Sequence, residues 1–342
     1  MPPLKRRDRL THRRLPPVRS RLVGDAEILV EVVRSGFVEG RHRGSVVALA
    51  ADGSVDWSLG DVDSQIYPRS CNKPMQAVGM LRLGLPLDGE LLALAAASHS
   101  GEPFHIAGVR RILAEVGLDE TVLQTPPDYP LDEAARAAFL RAGADKSSIA
   151  MNCSGKHAAM VATAAVNGWP TTTYRDPQHP LQQVIATTFA ELTEEIVNSV
   201  GVDGCGAPLL SASLVGLARA FRTLVLAGAG SAERRVADAF VGFPEYASGT
   251  SRDEAALLRA IPGAVAKAGA ESSYALALPD GRAVALKVDD GHPRARPVAM
   301  AAALRRMGVD HEPGVDAEAL NATGTVPVYG GGEPVGELRP AF

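Results

Sequence analysis

A chain of 342 residues, 46 % hydrophobic and 22 % charged, has material for two ordinary globular domains or one large mixed one. Thirty-five lysines and arginines against 39 acidic residues leave a net charge of −4, which excludes the strong basic field of a nucleic-acid-binding protein. No apolar run reaches the roughly 18 residues of a membrane span, no secretory signal follows the basic start, and Cys71, Cys153 and Cys205 are too few and too far apart for a disulfide framework. A cytoplasmic protein with no nucleic-acid or membrane partner is expected.

Residues 1–24 stand apart. Lys5, Arg6, Arg7, Arg9, Arg13, Arg14, Arg19 and Arg21 are interrupted by Pro2, Pro3, Pro16 and Pro17. Such a segment can serve as an arm for polyanions, but like charges and prolines cannot bury apolar surface, so a basic disordered tail without a role is expected. From Glu27 the pattern turns to strands: Ile28 to Val33, Ser45 to Ala50, then an Ala51-Asp52-Gly53 turn returning through Ser54 to Leu59. The middle of the chain is helical, with Met75 to Leu83, Leu91 to Ala97, Ile106 to Val116, Leu131 to Ala142, Ala158 to Val166, Leu181 to Val200 and Leu214 to Ala227. Strands return at Ser272 to Leu278 and Arg282 to Val288, a helix follows over Pro293 to Met307 with Gly308 as its stop, and Val326 to Tyr329 and Pro334 to Leu338 make a last short hairpin. Strands at both ends with helices between them do not fit a βαβ repeat. They predict an α+β fold in which residues 25–342 form one catalytic domain: an antiparallel sheet from 25–66 and 260–342, and a mainly helical part from 67–259.

The sharpest local pattern is Pro68-Arg69-Ser70-Cys71-Asn72-Lys73-Pro74. Pro74 is tolerated only near a helix start, which puts Ser70 by the positive end of the helix and Lys73 on the same face. A serine hydroxyl needs a base beside it to act as a nucleophile, and a desolvated lysine can be that base. The same residues also read as a helix cap beside a solvated lysine. Lys267-Ala268-Gly269, just before the late hairpin, adds a second lysine on a strand where Gly269 leaves room for a ligand. Ser-x-x-Lys at a helix start with Lys-x-Gly on an antiparallel strand is the arrangement of penicillin-recognising serine acyl enzymes.

Other clusters carry polar chemistry. Ser98 in Ala97-Ser98-His99-Ser100-Gly101-Glu102 offers a second hydroxyl, with His99 or Glu102 as a substrate contact; a plain helix C-terminal turn is the alternative. Cys153 and Cys205 sit among polar and glycine residues, so a zinc site could pair them with one or two of Lys156, His157, His99 and Asp203, although no Cys-x-x-Cys spacing is present. Arg252, at the start of a helix, could pair with a substrate carboxylate or be ordinary helix-start charge.

Taken in order, Arg69-Ser70-x-x-Lys73-Pro74-x-Gln76, Ala97-Ser98-His99-Ser100-Gly101-Glu102-Pro103, Asn152-Cys153-Ser154-Gly155-Lys156-His157, Asp203-Gly204-Cys205, Gly249-Thr250-x-Arg252 and Lys267-x-Gly269-Ala270-Glu271 resemble the L-asparaginase II family of the Rhizobium type, which is unrelated to the threonine-dependent bacterial asparaginases. The resemblance runs from about Val30 to the C-terminus. It implies a serine β-lactamase/glutaminase-like fold and hydrolysis of L-asparagine to L-aspartate and ammonia. It further implies a catalytic Ser70–Lys73 pair supported by Ser98 and Lys267, a zinc ion held by Cys153, Lys156 and Cys205, and a homodimer. Two features depart from the family: the basic tail, and the lack of a hydroxyl residue between Lys267 and Gly269. Alternatives are a glutaminase or other small-amide hydrolase on the same fold, or a catalytically silent amino-acid sensor.

Overall fold

A computed structural model describes residues 26–342, so the basic tail lies outside the described residues. The first strands are β1 (Glu27–Arg34), β2 (Phe37–Leu49) and β3 (Val55–Leu59). Ser35 and Gly36, both with positive φ, turn β1 directly into β2. β2 is thus longer than the apolar run that predicted it. Its first half, Phe37 to Gly44, is largely solvent-facing, and so carries charge instead of a hydrophobic signal.

The helical part follows: α1 (Lys73–Arg82), α2 (Gly89–Ala95), α3 (Pro103–Ala114), α4 (Glu133–Arg141), α5 (Ser154–Val166) and α6 (Pro180–Thr193). A short ribbon, β4 (Val200–Val202) and β5 (Pro208–Leu210), precedes α7 (Leu214–Leu226), α8 (Ala232–Gly242), α9 (Pro244–Ala247) and α10 (Asp253–Ala260). The helix expected over Leu181 to Val200 stops seven residues early, because Glu194 takes a left-handed conformation (φ 58°) that ends it. β-branched Val200 and Val202 then pair antiparallel with Pro208 and Leu210.

The chain closes with β6 (Val265–Ala268), β7 (Ser273–Ala277), β8 (Ala283–Val288), α11 (Ala295–Arg306), α12 (Ala317–Thr323), β9 (Pro327–Gly330) and β10 (Glu333–Pro340). Both chain ends meet in one eight-stranded antiparallel sheet, ordered β6-β7-β8-β2-β1-β10-β9, with β3 also on β2. The α+β expectation is met. α7 and α11 both pack on β2, β7 and β8. β7 and β8 are accordingly buried over nearly all of their paired length, β7 reading Ser-Tyr-Ala-Leu-Ala without a polar outer face. Among the described residues no helix is long and apolar enough to cross a membrane.

Two contacts bring the helical part and the sheet together. α1 is buried from Lys73 through Leu81, a core helix against α5, α6 and α8 whose start lies against the sheet edge. At that edge β6 is followed by Gly269, where a Cβ would lie 2.7 Å from the Pro68 carbonyl oxygen and 3.1 Å from the Ser70 nitrogen. The glycine serves backbone-to-backbone approach between β6 and the Ser70 turn, which corrects the expectation that it leaves room for a ligand. Gly269→Ala must push the two apart, with a cost of about 1–3 kcal/mol. Urea unfolding should show that loss, and ammonia release should fall with it.

Candidate active site

The turn Arg69–Asn72 is a 3₁₀ turn running straight into α1, with Pro74 in the first helical turn as the sequence required. Three of its side chains hold it in place. Arg69 Nε donates to Asp203 Oδ1 (2.9 Å), Cys71 Sγ donates to the Lys267 carbonyl (3.0 Å), and Asn72 Nδ2 donates to the Leu210 carbonyl (3.0 Å). Arg69 does so from a left-handed backbone, φ 54°, a conformation that is unfavourable for a residue with a Cβ. The fourth, Ser70, is half-buried, and its hydroxyl has no hydrogen-bond partner among the described residues. A clamped turn thus presents one unengaged hydroxyl at the head of a helix.

Lys73 points from α1 into the interior and is 1 % exposed. Its Nζ donates to the Ala97 carbonyl (2.5 Å), to Ser98 Oγ (2.9 Å) and to Cys153 Sγ (3.2 Å). Burial lowers its pKa; the thiols of Cys153 and Cys205 oppose that shift, while the charges of Lys156 and Lys267 reinforce it. Lys267, also fully buried, donates from Nζ to Glu254 Oε1 (2.8 Å) and to the Ala268 carbonyl (2.7 Å). Lys73 therefore meets Ser98, whereas Lys267 is held by a carboxylate that sequence reasoning missed.

Cys153 and Cys205 come together, as the paired-cysteine reading required, in a small buried cluster with Met151 and Ala207. Cys153 caps α5, and Lys156 one turn later donates to Cys205 Sγ (3.1 Å). The Cys153 thiol is pushed well below the usual cysteine range, first by a hydrogen bond from Cys205 and then by Lys73 and Lys156, while that bond raises Cys205. Cys205 and Cys153 raise Lys156 against the effect of burial. His157 Nδ1 is bonded to the Tyr174 hydroxyl (2.7 Å), and its Nε2 is buried without a partner. Among the described residues no three His, Cys, Asp or Glu side chains gather as a metal cluster. A third donor must come from Lys156, and two sulfurs with one amine do suit zinc once the amine is deprotonated.

His99 and Glu102 differ from expectation. His99 is fully buried: Nδ1 accepts from the Gly101 amide (3.1 Å) and Nε2 bonds the Ser154 hydroxyl (2.8 Å), which donates to the Ile149 carbonyl. With both nitrogens engaged, it braces the Ser98 turn and has no edge left for substrate. The Glu102 carboxylate caps α3 and accepts from the amide and hydroxyl of Thr250 (3.0 and 2.6 Å), tying the loop before α10 to α3. Arg252 gives Nε and Nη2 to Glu254 Oε2 (3.0 and 2.8 Å) and lines an open groove of about 590 Å³.

A profile of the L-asparaginase II family matches residues 30–340, nearly the whole chain. The chain belongs to that family. This membership makes it an amide hydrolase with a small-molecule substrate. Among solved structures it is similar to a β-lactamase from Mycobacterium bovis (14 % identity over 77 % of this chain and 94 % of that one, TM-score 0.43). A Bacillus glutaminase is more distant (10 % identity, 78 % and 91 % covered, TM-score 0.35). These likenesses are loose, and the assignment rests on the family. No curated protein matches the chain significantly.

Burial also sets a pH dependence. Desolvation holds His99 well below the ordinary histidine value and lowers His105 as well. Both are neutral in the fold, so unfolding takes up protons below about pH 6.5. Stability present above that pH should be lost on acidification, at up to about 1.4 kcal/mol per pH unit for each histidine. Unfolding free energies at pH 7.5 and 5.5 should show the drop, and His99→Gln should flatten it.

Proposed function

We propose that this amide hydrolase acts on L-asparagine by acyl transfer, releasing ammonia and then L-aspartate. The observation that carries the proposal is the unengaged Ser70 hydroxyl on a clamped turn that runs straight into α1, whose Lys73, three residues on, is a buried amine bonded to Ser98. Ser70 Oγ attacks the side-chain amide carbon while its proton passes to Lys73, whose desolvation favours the neutral amine that accepts it. The oxyanion is met by the backbone N–H of Ser70 at the head of the helix. Ser98, bonded to Lys73 Nζ, relays a proton to the leaving nitrogen, and C–N cleavage leaves aspartyl-Ser70 and ammonia. Water, deprotonated through the same pair, then cleaves the ester. Lys267 adds positive charge that lowers Lys73 further, and Arg252 meets the substrate carboxylate.

Ser70→Ala should cut ammonia release from asparagine by about a thousandfold or more with little change in melting temperature. Substantial residual activity would move the nucleophile to Ser98. Running asparagine beside glutamine tests the substrate, since one methylene discriminates by about 10- to 200-fold; faster release from glutamine would make the chain a glutaminase. Binding of either amide with no ammonia released would point to a sensor.

Zinc belongs to the same proposal. Cys153, Lys156 and Cys205 would hold it, and bound there it would supply a positive charge that orients substrate beside the Ser–Lys apparatus. Metal analysis of protein purified without chelator should give about one zinc per chain, and Lys156→Met or Cys205→Ser should lose it. A full complement of zinc in both variants would remove these ligands from consideration. The homodimer is part of the proposal too, and light scattering on the eluting protein reads its mass.

A further inference from the structure

Tyr174, His157 and Cys205 form a buried line that the acyl-transfer chemistry leaves unused. His157 is one turn after Cys153 on α5, its amide bonded to the Cys153 carbonyl (3.1 Å), and it directly follows Lys156. Its ring meets the Tyr174 ring edge-on, with centroids 5.5 Å apart, and both side chains are fully buried. The Tyr174 hydroxyl accepts from the Gln124 amide (3.1 Å) and lies 2.7 Å from His157 Nδ1.

The tautomer of His157 follows from counting donors. Burial raises the Tyr174 phenol to about 12, so its proton stays on. The Gln124 amide already brings one proton to the phenol oxygen, and the phenol's own proton needs an acceptor inside the fold. His157 Nδ1 is the one acceptor bonded to it among the described residues. Nδ1 therefore accepts, and the ring proton is on Nε2. Burial pulls the His157 pKa down to about 4, so the ring carries that proton alone at neutral pH.

Nε2–H is then a buried donor with no hydrogen-bond partner among the described residues, and such a donor calls for an acceptor. Cys205 is the acceptor within its influence. Against burial, Cys205 is the leading group that raises the His157 ring, and His157 in turn lowers a Cys205 thiol that its bond to Cys153 and burial raise. The two interact without forming a bond of good geometry. A neutral thiol accepts weakly, whereas a thiolate that holds a metal ion accepts strongly, so the orphaned donor fits Cys205 as a ligand. Cys153, Cys205 and His157 do not converge as a three-donor group, which makes the ring a partner of the sulfur and not of the metal. Lys156 Nζ also donates to Cys205 Sγ (3.1 Å), but an amine committed to a metal ion no longer brings a full positive charge to that sulfur.

We propose that His157 is the positioning residue of the Cys205 ligand: Tyr174 fixes its tautomer, and its Nε2–H donates to the Cys205 sulfur when that sulfur holds zinc. The inference rests on the zinc reading of Cys153, Lys156 and Cys205, and is independent of which amide is hydrolysed. A donor of this kind fixes the direction of the ligand and strengthens the metal's hold, and losing one costs about 10- to 100-fold in metal affinity.

The test takes the zinc-loaded full chain, with zinc affinity read by competition against a chromophoric chelator and the sulfur-to-metal absorption band read after cobalt substitution. His157→Phe keeps a flat ring without an N–H. It should weaken zinc binding by about 10- to 100-fold and move the cobalt band to longer wavelength. His157→Gln puts an amide N–H near the same point, and should hold zinc within about threefold of wild type. Should His157→Phe fail to fold, Tyr174→Phe decides in its place, since it leaves the imidazole but releases Nδ1, and should weaken zinc by about threefold or more. A purely structural role would lower the melting temperature and leave zinc affinity and the cobalt band where they were. That result overturns the proposal, as does a His157→Gln variant that binds zinc as weakly as His157→Phe. Wild-type protein that takes up neither zinc nor cobalt removes the zinc reading and this proposal with it. Zinc held by wild type and equally by every variant removes this proposal alone.

Discussion

Three lysines, Lys73, Lys156 and Lys267, are each 1 % exposed or less, and the geometry of the whole site follows from that constraint. An ammonium group taken out of water needs close polar partners, or it loses its proton. Each lysine finds partners on an element distant in sequence. Lys73 of α1 reaches the Ala97-Ser98 turn and Cys153 at the head of α5; Lys156 of α5 reaches the Cys205 loop; Lys267 of β6 reaches Glu254 of α10. The polar requirement of three side chains thereby cross-links the helical part to the sheet edge. Loss of a partner leaves a buried charge stranded, which is more damaging than the loss of the bond itself.

Backbone strain gathers at the same place. Arg69, Glu271 and Ser272 all hold positive φ, and they flank the contact in which Gly269 meets the Ser70 turn. The Arg69 guanidinium lies 2.9 Å from Asp203 and 3.8 Å from Glu271, so its two ion pairs bridge the loops on either side. Non-glycine residues stay in that region only where the surroundings over-determine them. Here the close packing of β6 and the three side-chain anchors of the turn supply that restraint, and the result is a Ser70 backbone held in one place. Placement of this kind is what a nucleophile needs before any question of its basicity arises.

The parts of this arrangement that local chemistry dictates were legible in the sequence. Pro74 announced the start of α1, the runs Ser272 to Leu278 and Arg282 to Val288 announced the β7–β8 hairpin, and the polar settings of Cys153 and Cys205 marked them as unlike core cysteines. Features decided by tertiary contact were not. The solvent-facing half of β2 has no apolar alternation to betray it, and α6 ends where Glu194 adopts a conformation no propensity favours. His99 reads as a chemical group in the sequence, yet becomes a brace once Ser154 and Gly101 take its two nitrogens. Glu254 is the opposite case. Next to Asp253 at a helix start it is indistinguishable from a dipole-complementing acid, and only its burial against Lys267 and Arg252 separates it from Asp253's more local pairing.

Lys73 and Lys267 are the same residue type, equally buried, with Coulombic influence passing between them. Their partners separate them. Lys267 faces a carboxylate that also carries an arginine, an arrangement suited to a fixed positive charge. Lys73 faces a carbonyl, a hydroxyl and a sulfur, an arrangement that tolerates a neutral amine because its N–H groups still satisfy the carbonyl while the Ser98 hydroxyl can donate in return. A proton acceptor must be able to exist in both forms, whereas a charge that biases its neighbour must not change. Two lysines in one site can divide those duties only if their surroundings differ in this way, and the single carboxylate of Glu254 is what makes them differ.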